Sequence, residues 1–146
     1  KMLESGINVA LGTDGAASNN NLNIMQDMYL FGVVYKGYFR DPTIITPAEV
    51  LHAATRAGAL SQGRGDSGLL AVGMRADLCV LNTDTPQFTP MTSAACNVVY
   101  AAQGADIRMT MVDGEVLYRD GEFKTIDIEK VKAEVQRRTD SILSRL

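Results

Sequence analysis

The sequence predicts an α+β fold in three parts: the end of an α/β unit, a β-rich module and a terminal docking helix. Three observations carry this reading. Apolar residues recur at helical spacing through much of residues 1–65. From Gly68 onward the pattern changes to short alternating runs separated by turns, giving a β module over residues 66–124. A final stripe of Ile128, Val131, Val135, Ile142, Leu143 and Leu146 makes residues 125–146 an amphipathic helix that docks on something.

Taken in order, residues 1–6 read as the last turn of a helix with Gly6 as its C-cap, so the chain looks like a piece of something larger. Residues 7–11 read as a strand, with Ile7, Val9 and Leu11 alternating with Asn8 and Ala10. Gly12-Thr13-Asp14-Gly15 ends it, and places one carboxylate, Asp14, at the C-terminal lip of a strand. The glycine- and asparagine-rich loop behind it tolerates unusual backbone angles and can bring N–H groups close to a ligand. A helix is expected over residues 22–38, with Leu22, Ile24, Met25, Met28, Phe31 and Tyr35 forming an apolar face for core packing. After a connector over residues 40–45, Thr46-Pro47-Ala48-Glu49 spells an N-cap, a proline at the first helical position and a capping box. That helix should run to a stop at Gly63, with Glu49, His52 and Arg56 on its outer stripe, so His52 reads as solvated.

In the second part, residues 76–82 and 97–102 read as strands, with a loop over residues 86–90 between them. Asp113-Gly114 between two alternating runs is a hairpin signal, and Asp120-Gly121 is a second turn. Short strands joined by turns suggest a small β-sandwich and not a parallel sheet. Asp127 then caps the last helix, with Ile126 and Val131 placed as a hydrophobic staple.

Composition narrows the function. The 146 residues are 46% hydrophobic and 21% charged, as in ordinary globular domains. A net charge of −3 gives no footprint for nucleic acid or an anionic membrane surface. No apolar run approaches the ~20 residues of a membrane span. Cys79 and Cys96 sit in apolar surroundings and read as two small buried thiols, which suggests a cytoplasmic protein. The chain has one histidine, whereas a histidine-built metal site needs two or more imidazoles.

Two motifs fail on context. Residues 63–68 fit G-x-G-x-x-G, but a dinucleotide fingerprint follows a strand and opens a helix, the reverse of the order expected here. The Arg64-Gly65-Asp66-Ser67 run within it has the letters of an adhesion ligand in a chain without secretory features. Ser18 and Ser67 have no local histidine for nucleophilic catalysis.

The order of three motifs is more specific. Gly12-Thr13-Asp14-Gly15-Ala16-Ala17-Ser18-Asn19-Asn20 comes first, followed by Thr46-Pro47-Ala48-Glu49-Val50-Leu51 with Ala53-Ala54-Thr55. Gly68-Leu69-Leu70-Ala71-Val72-Gly73-Met74-Arg75-Ala76-Asp77-Leu78 is the third, and Val112-Asp113-Gly114-Glu115-Val116 closes the series. Together they resemble the C-terminal third of the amidohydrolase superfamily, in the branch of S-adenosylhomocysteine/methylthioadenosine deaminases and triazine chlorohydrolases. The resemblance implies a fold: the last β/α unit of a metal-dependent (β/α)8 barrel, part of a composite β-sandwich, and a terminal docking helix. It also implies that Asp14 ligates one divalent metal, Zn or Fe, and relays a proton from the metal-bound water to the leaving amine or chloride. Such a metal brings the pKa of its water toward ~7. Ser18 and Asn19 match family positions that line the substrate pocket, and Thr13 could orient Asp14.

The family's histidines have no counterpart here, and a complete barrel needs about 250 residues. The resemblance therefore implies a parent enzyme acting on a small purine-like or triazine-like substrate, while this chain alone is expected to be inactive and to hold no metal. The alternative is a non-catalytic stand-alone sandwich or oligomerisation module. Either reading expects a homodimer or higher oligomer, because the barrel helices and the last stripe need cover.

Overall fold

In the computed structural model, residues 2–146 are described; Lys1, at the start of the expected helix end, lies outside them. Residues 2–6 form a turn in which Gly6 N–H donates to Leu3 O at 3.0 Å and Gly6 adopts φ 71°. Among the described residues five helices follow: α1 (Ile24–Phe39), α2 (Pro47–Ala54), α3 (Arg56–Ser61), α4 (Ala94–Tyr100) and α5 (Ile128–Leu143). Four strands of these residues form one antiparallel sheet in sequential order: β1 (Leu78–Leu81), β2 (Ile107–Val112), β3 (Glu115–Arg119) and β4 (Glu122–Phe123).

Side-chain caps start α1, α2, α4 and α5, whereas α3 has none. Asn23 caps α1 by accepting Met25 N–H at 3.1 Å. The expected capping box of α2 is present: Glu49 N–H donates to Thr46 Oγ1 and Thr46 N–H to Glu49 Oε2. Asp127 caps α5 through Lys130 N–H.

The helix expected from Thr46 to Gly63 is interrupted. Thr55 leaves the helical region at φ −125°, ψ −88°, and its hydroxyl donates back to Leu51 O at 2.6 Å. This bond to the carbonyl four residues back competes with the helical ladder, and a β-branched residue is poorly placed to resist the break. The interruption divides the segment into α2 and α3.

The core gathers Met25 and Met28 from α1, Val50 from α2, Phe88, Val99 from α4 and Ala102, with Leu81 and Ile107 packed against them. Phe88 enters it from a short 3-10 turn, Pro86–Phe88, within the expected loop. Of the apolar face expected on α1, Met25 and Met28 are buried, while Leu22 and Tyr35 stay exposed.

Residues 97–102, expected as a strand, lie mostly in helix α4. Ser93 Oγ accepts Cys96 N–H to start it, and Asn97 Nδ2 donates to Phe88 O at 3.2 Å. Packing decides the conformation of its β-branched residues. A Cβ on Gly32 of α1 would stand 2.9 Å from Tyr100 Cε1 and 3.3 Å from Val99 Cγ1, so α4 uses the space that only a glycine leaves.

The hairpin expectation holds, since β2 and β3 pair across Asp113 and Gly114 at φ 52° and 82°. Two positive φ angles in succession match the right-handed twist of a two-residue hairpin. Asp120 and Gly121 repeat the device before β4, at φ 49° and 92°. The β module is one sheet, and no second layer covers it among the described residues. Cys79 and Cys96 are accordingly not the buried thiols expected: both are free and exposed, Cys79 in the middle of uncovered β1. Helix α5 likewise has no buried residue, and its stripe residues Val131, Val135, Ile142 and Leu143 are exposed.

Candidate active-site loop

Residues 7–11 carry no ladder hydrogen bonds and so do not form the expected strand. They lie instead against the interrupted helix pair. Leu11 N–H donates to Ala53 O at 2.9 Å, and Asn8 Nδ2 donates to Ala57 O at 3.0 Å. Carbonyls in the last turn of a helix have no partner within the helix. The break at Thr55 therefore exposes the acceptor that anchors Leu11, just before Gly12-Thr13-Asp14-Gly15.

Asp14 projects from this anchor with φ 60°, a left-handed conformation that an aspartate adopts more readily than most residues. Its side chain is exposed, and Oδ1 accepts Gly15 N–H at 2.6 Å. Oδ2 has no partner among the described residues. Thr13 Oγ1 donates to the main-chain carbonyl of Asp14 at 3.2 Å, so its bond is to the backbone of Asp14 and not to the carboxylate.

The loop behind Asp14 closes on itself. Ser18 N–H and Asn19 N–H both donate to Gly15 O, at 2.9 and 2.8 Å. Asn19 is half-buried, and its Nδ2 donates to Thr13 O at 2.8 Å, tying the far side of the loop to the residue before Asp14. Ser18 is exposed. The structure thus gathers Thr13, Asp14, Ser18 and Asn19 into one hydrogen-bonded loop and leaves His52 exposed on α2.

The asparagines at alternate positions form a chain that the sequence reading did not find. Asn19 Oδ1 accepts Asn21 N–H at 3.3 Å, Asn21 Oδ1 accepts Asn23 N–H at 3.0 Å, and Asn23 Oδ1 accepts Met25 N–H at 3.1 Å. Each is a side-chain turn onto the backbone two residues ahead. The spacing of Asn19, Asn21 and Asn23 was its visible signal. These bonds join the Asp14 loop to the N-terminus of α1.

The segment over residues 63–68 acts as a brace. Arg64 Nη2 donates to Asp77 Oδ2 at 2.7 Å and to Ser67 Oγ at 3.1 Å, and Ser67 is 3% exposed. Arg56 Nη1 donates to the carbonyls of Gly65 and Ser67, binding the segment to α3. Its arginine and serine are engaged within the fold.

As a metal centre, the donor set is incomplete. A tetrahedral site takes at least three protein ligands, and no group of three or more His, Cys, Asp or Glu side chains is placed to hold an ion among the described residues. Asp14 could supply one ligand atom, so the residues of this chain do not by themselves fit the metal. None of the described helices is long and apolar enough to cross a membrane.

The chain is similar to known proteins over most of its length. The amidohydrolase family model matches residues 1–117. The chain is 43% identical over 143 residues to a 5-methylthioadenosine/S-adenosylhomocysteine deaminase of Acetivibrio thermocellus, covering 97% of this chain and 33% of that protein. It is 38% identical over 146 residues to a 5'-deoxyadenosine deaminase of Methanosarcina mazei, covering 100% of this chain and 34% of that protein. The chain therefore spans about a third of the length of these curated relatives. An adenosine deaminase from Xanthomonas campestris, solved with bound zinc, superposes with a TM-score of 0.93 at 28% identity over 98% of this chain and 33% of that one. The atrazine chlorohydrolase of Arthrobacter aurescens, solved with zinc, gives 0.83 at 27% identity over 92% of this chain and 30% of that one. On the match of the family model to residues 1–117 and the identity to the two deaminases, the chain belongs to the amidohydrolase family.

Proposed function

We propose that this chain is the Asp14-bearing part of a metal-dependent aminohydrolase that releases ammonia from the purine ring of an adenosine-like nucleoside. The observation that carries the reading is Asp14 itself. It is an exposed carboxylate held left-handed at the end of an anchored segment, with Oδ1 bonded to Gly15 N–H and Oδ2 without a partner among the described residues. The identity to deaminases over nearly the whole chain supports the substrate class.

In this reading residues 1–65 are the end of the barrel, residues 66–124 are part of a composite sandwich, and residues 125–146 return as a helix. Zn²⁺ or Fe²⁺ would be held by Asp14 together with residues outside this chain, and would supply an activated water when bound. The contribution of this chain is positional. The bond between Asn19 and Thr13 O fixes the loop, the Gly15 N–H fixes one carboxylate oxygen, and Ser18 is tied into the same loop through its N–H to Gly15 O. The 146-residue chain alone should carry neither stoichiometric metal nor activity.

The test is ammonia release from 5'-deoxyadenosine, methylthioadenosine and S-adenosylhomocysteine, using the complete protein that contains this segment. Asp14→Asn should lower turnover by ~10²-fold or more while leaving the circular dichroism unchanged. Undiminished ammonia release by that variant would overturn the assignment. Chloride release from a chlorotriazine, without ammonia release from the nucleosides, would move the activity to the chlorohydrolase branch suggested by the structural likeness at 27% identity.

A further inference from the structure

The helix break at Thr55 changes which donors the carbonyls around it accept. In a continuous α-helix Leu51 O takes Thr55 N–H and Ala53 O takes Ala57 N–H, each from four residues ahead. Here Thr55 N–H donates to His52 O at 3.3 Å, and the Thr55 hydroxyl fills its place on Leu51 O at 2.6 Å. Ala53 O accepts Leu11 N–H at 2.9 Å. One carbonyl of the helix has thereby been turned to a residue more than forty positions upstream.

The segment that leads to Asp14 straddles the break. Leu11 is tied to Ala53 O just before it, and Asn8 Nδ2 to Ala57 O just after it, at 3.0 Å. Both alanines are buried, so water competes little for these ties. The far side of the break is held as well. Arg56 Nη1 donates to the carbonyls of Gly65 and Ser67, and a Cβ on Gly68 would stand 2.8 Å from Arg56 Cα and 3.0 Å from Thr55 O. The break is therefore a fixed point, and Asp14 follows Leu11 in the sequence by only two intervening residues, Gly12 and Thr13.

We propose that Thr55 is a positioning residue for Asp14, acting through the Ala53 carbonyl and the Leu11 amide. Its hydroxyl satisfies Leu51 O, so the chain can leave the helix without stranding that acceptor. Ala53 O is then available to Leu11, and the segment before Asp14 gains its anchor. Without the hydroxyl, the ladder is recovered only if the helix runs on through residue 55. The alanines at 53, 54 and 57 favour that continuation. Ala53 O would then go to Ala57 N–H, Leu11 would lose its partner, and Asp14 would shift with it. The consequence for turnover rests on the role proposed for Asp14 above, whereas the exchange of hydrogen-bond partners does not.

The test compares Thr55→Ala, Thr55→Val and Thr55→Ser in the complete protein that contains this segment, by amide exchange resolved to single residues and by ammonia release from 5'-deoxyadenosine. In Thr55→Ala the Leu11 amide should exchange about tenfold faster while the Ala57 amide becomes no faster, because Ala57 inherits the Ala53 carbonyl. Its kcat should fall about tenfold with KM little changed, since a misplacement of ~1 Å can cost up to ~10²-fold in rate. Thr55→Ser keeps the hydroxyl and should restore both readouts. Thr55→Val keeps the branched shape without the hydroxyl and should stay impaired. Parent-like exchange at Leu11 in Thr55→Ala would overturn the proposal, as would a valine variant that recovers as fully as serine. Leu11 and Ala57 speeding up together would also overturn it, by showing a general loosening. If the unaltered protein releases no ammonia, the substrate reading fails by itself, and the exchange pattern still decides the role of Thr55.

Discussion

Asp77 Oδ1 accepts the backbone N–H of Asp113 at 2.7 Å, so a residue just before β1 holds the turn between β2 and β3. Its other oxygen, Oδ2, takes Arg64 at 2.7 Å and Ser67 at 3.1 Å. A single carboxylate therefore joins the sheet to the segment after α3.

This junction should be acid-labile. The Asp113 N–H first, then the Ser67 hydroxyl and the charges of Arg64 and Arg75, hold the Asp77 carboxyl below its ordinary value of 3.8. A carboxylate whose pKa is depressed in the folded state contributes stability above the unfolded value, and this is lost as pH falls through the folded one. The melting temperature should therefore hold above about pH 4 and drop below it. Asp77→Asn should melt lower at neutral pH and show a shallower acid limb, measured by circular dichroism across the pH range. A variant with the parent's acid limb would remove Asp77 from the account.

Two glycines with the same backbone angle should respond differently to alanine. Gly68 and Gly73 both have φ 85°. At Gly73 a Cβ meets nothing within 4 Å, whereas at Gly68 it would stand 2.8 Å from Arg56 Cα and 3.0 Å from Thr55 O. Gly73→Ala should cost ~1–2 kcal/mol, the left-handed strain alone. Gly68→Ala should cost a further ~1–3 kcal/mol of overpacking against backbone that cannot move aside. Urea denaturation of the two variants checks the difference.

The asparagine chain can be tested at its last link and at its middle one. Asn23→Ala removes the cap of α1 and should cost about 1 kcal/mol in urea denaturation. Asn21→Ala leaves that cap in place and should loosen the Asp14 loop, seen as faster amide exchange at Asn23 with little change in global stability.

Local chemistry was legible in the sequence wherever it decides the conformation by itself. The Thr46–Glu49 capping box, the Asp127 cap and the Asp113-Gly114 turn are each specified by a few adjacent residues, and all three are found. What depends on distant partners was not legible. Val98, Val99 and Tyr100 have strand-like side chains, yet they turn helically because Gly32, far off in the chain, leaves room for them. Residues 7–11 alternate like a strand but have helix carbonyls beside them, so the pattern has no ladder to enter. Cys79 reads as buried because its neighbours are apolar, but burial needs a second layer as well as apolar neighbours. At the site, Asp14 was marked by its place after an apolar run and before glycine. The bond from Asn19 to Thr13 was not, because nothing in the spacing tells an amide that holds a loop from one that meets a ligand.

Strand β1 is fastened at both ends, by Leu81 against the core and by Asp77 to Arg64 and Ser67, while β3 and β4 are joined to it by strand pairing through β2. Protection therefore has a direction across the sheet. Deuterium should enter β4 first, then the outer face of β3, and reach the amides shared by β1 and β2 last, so the sheet would come apart from its free edge toward the strand that carries its attachments.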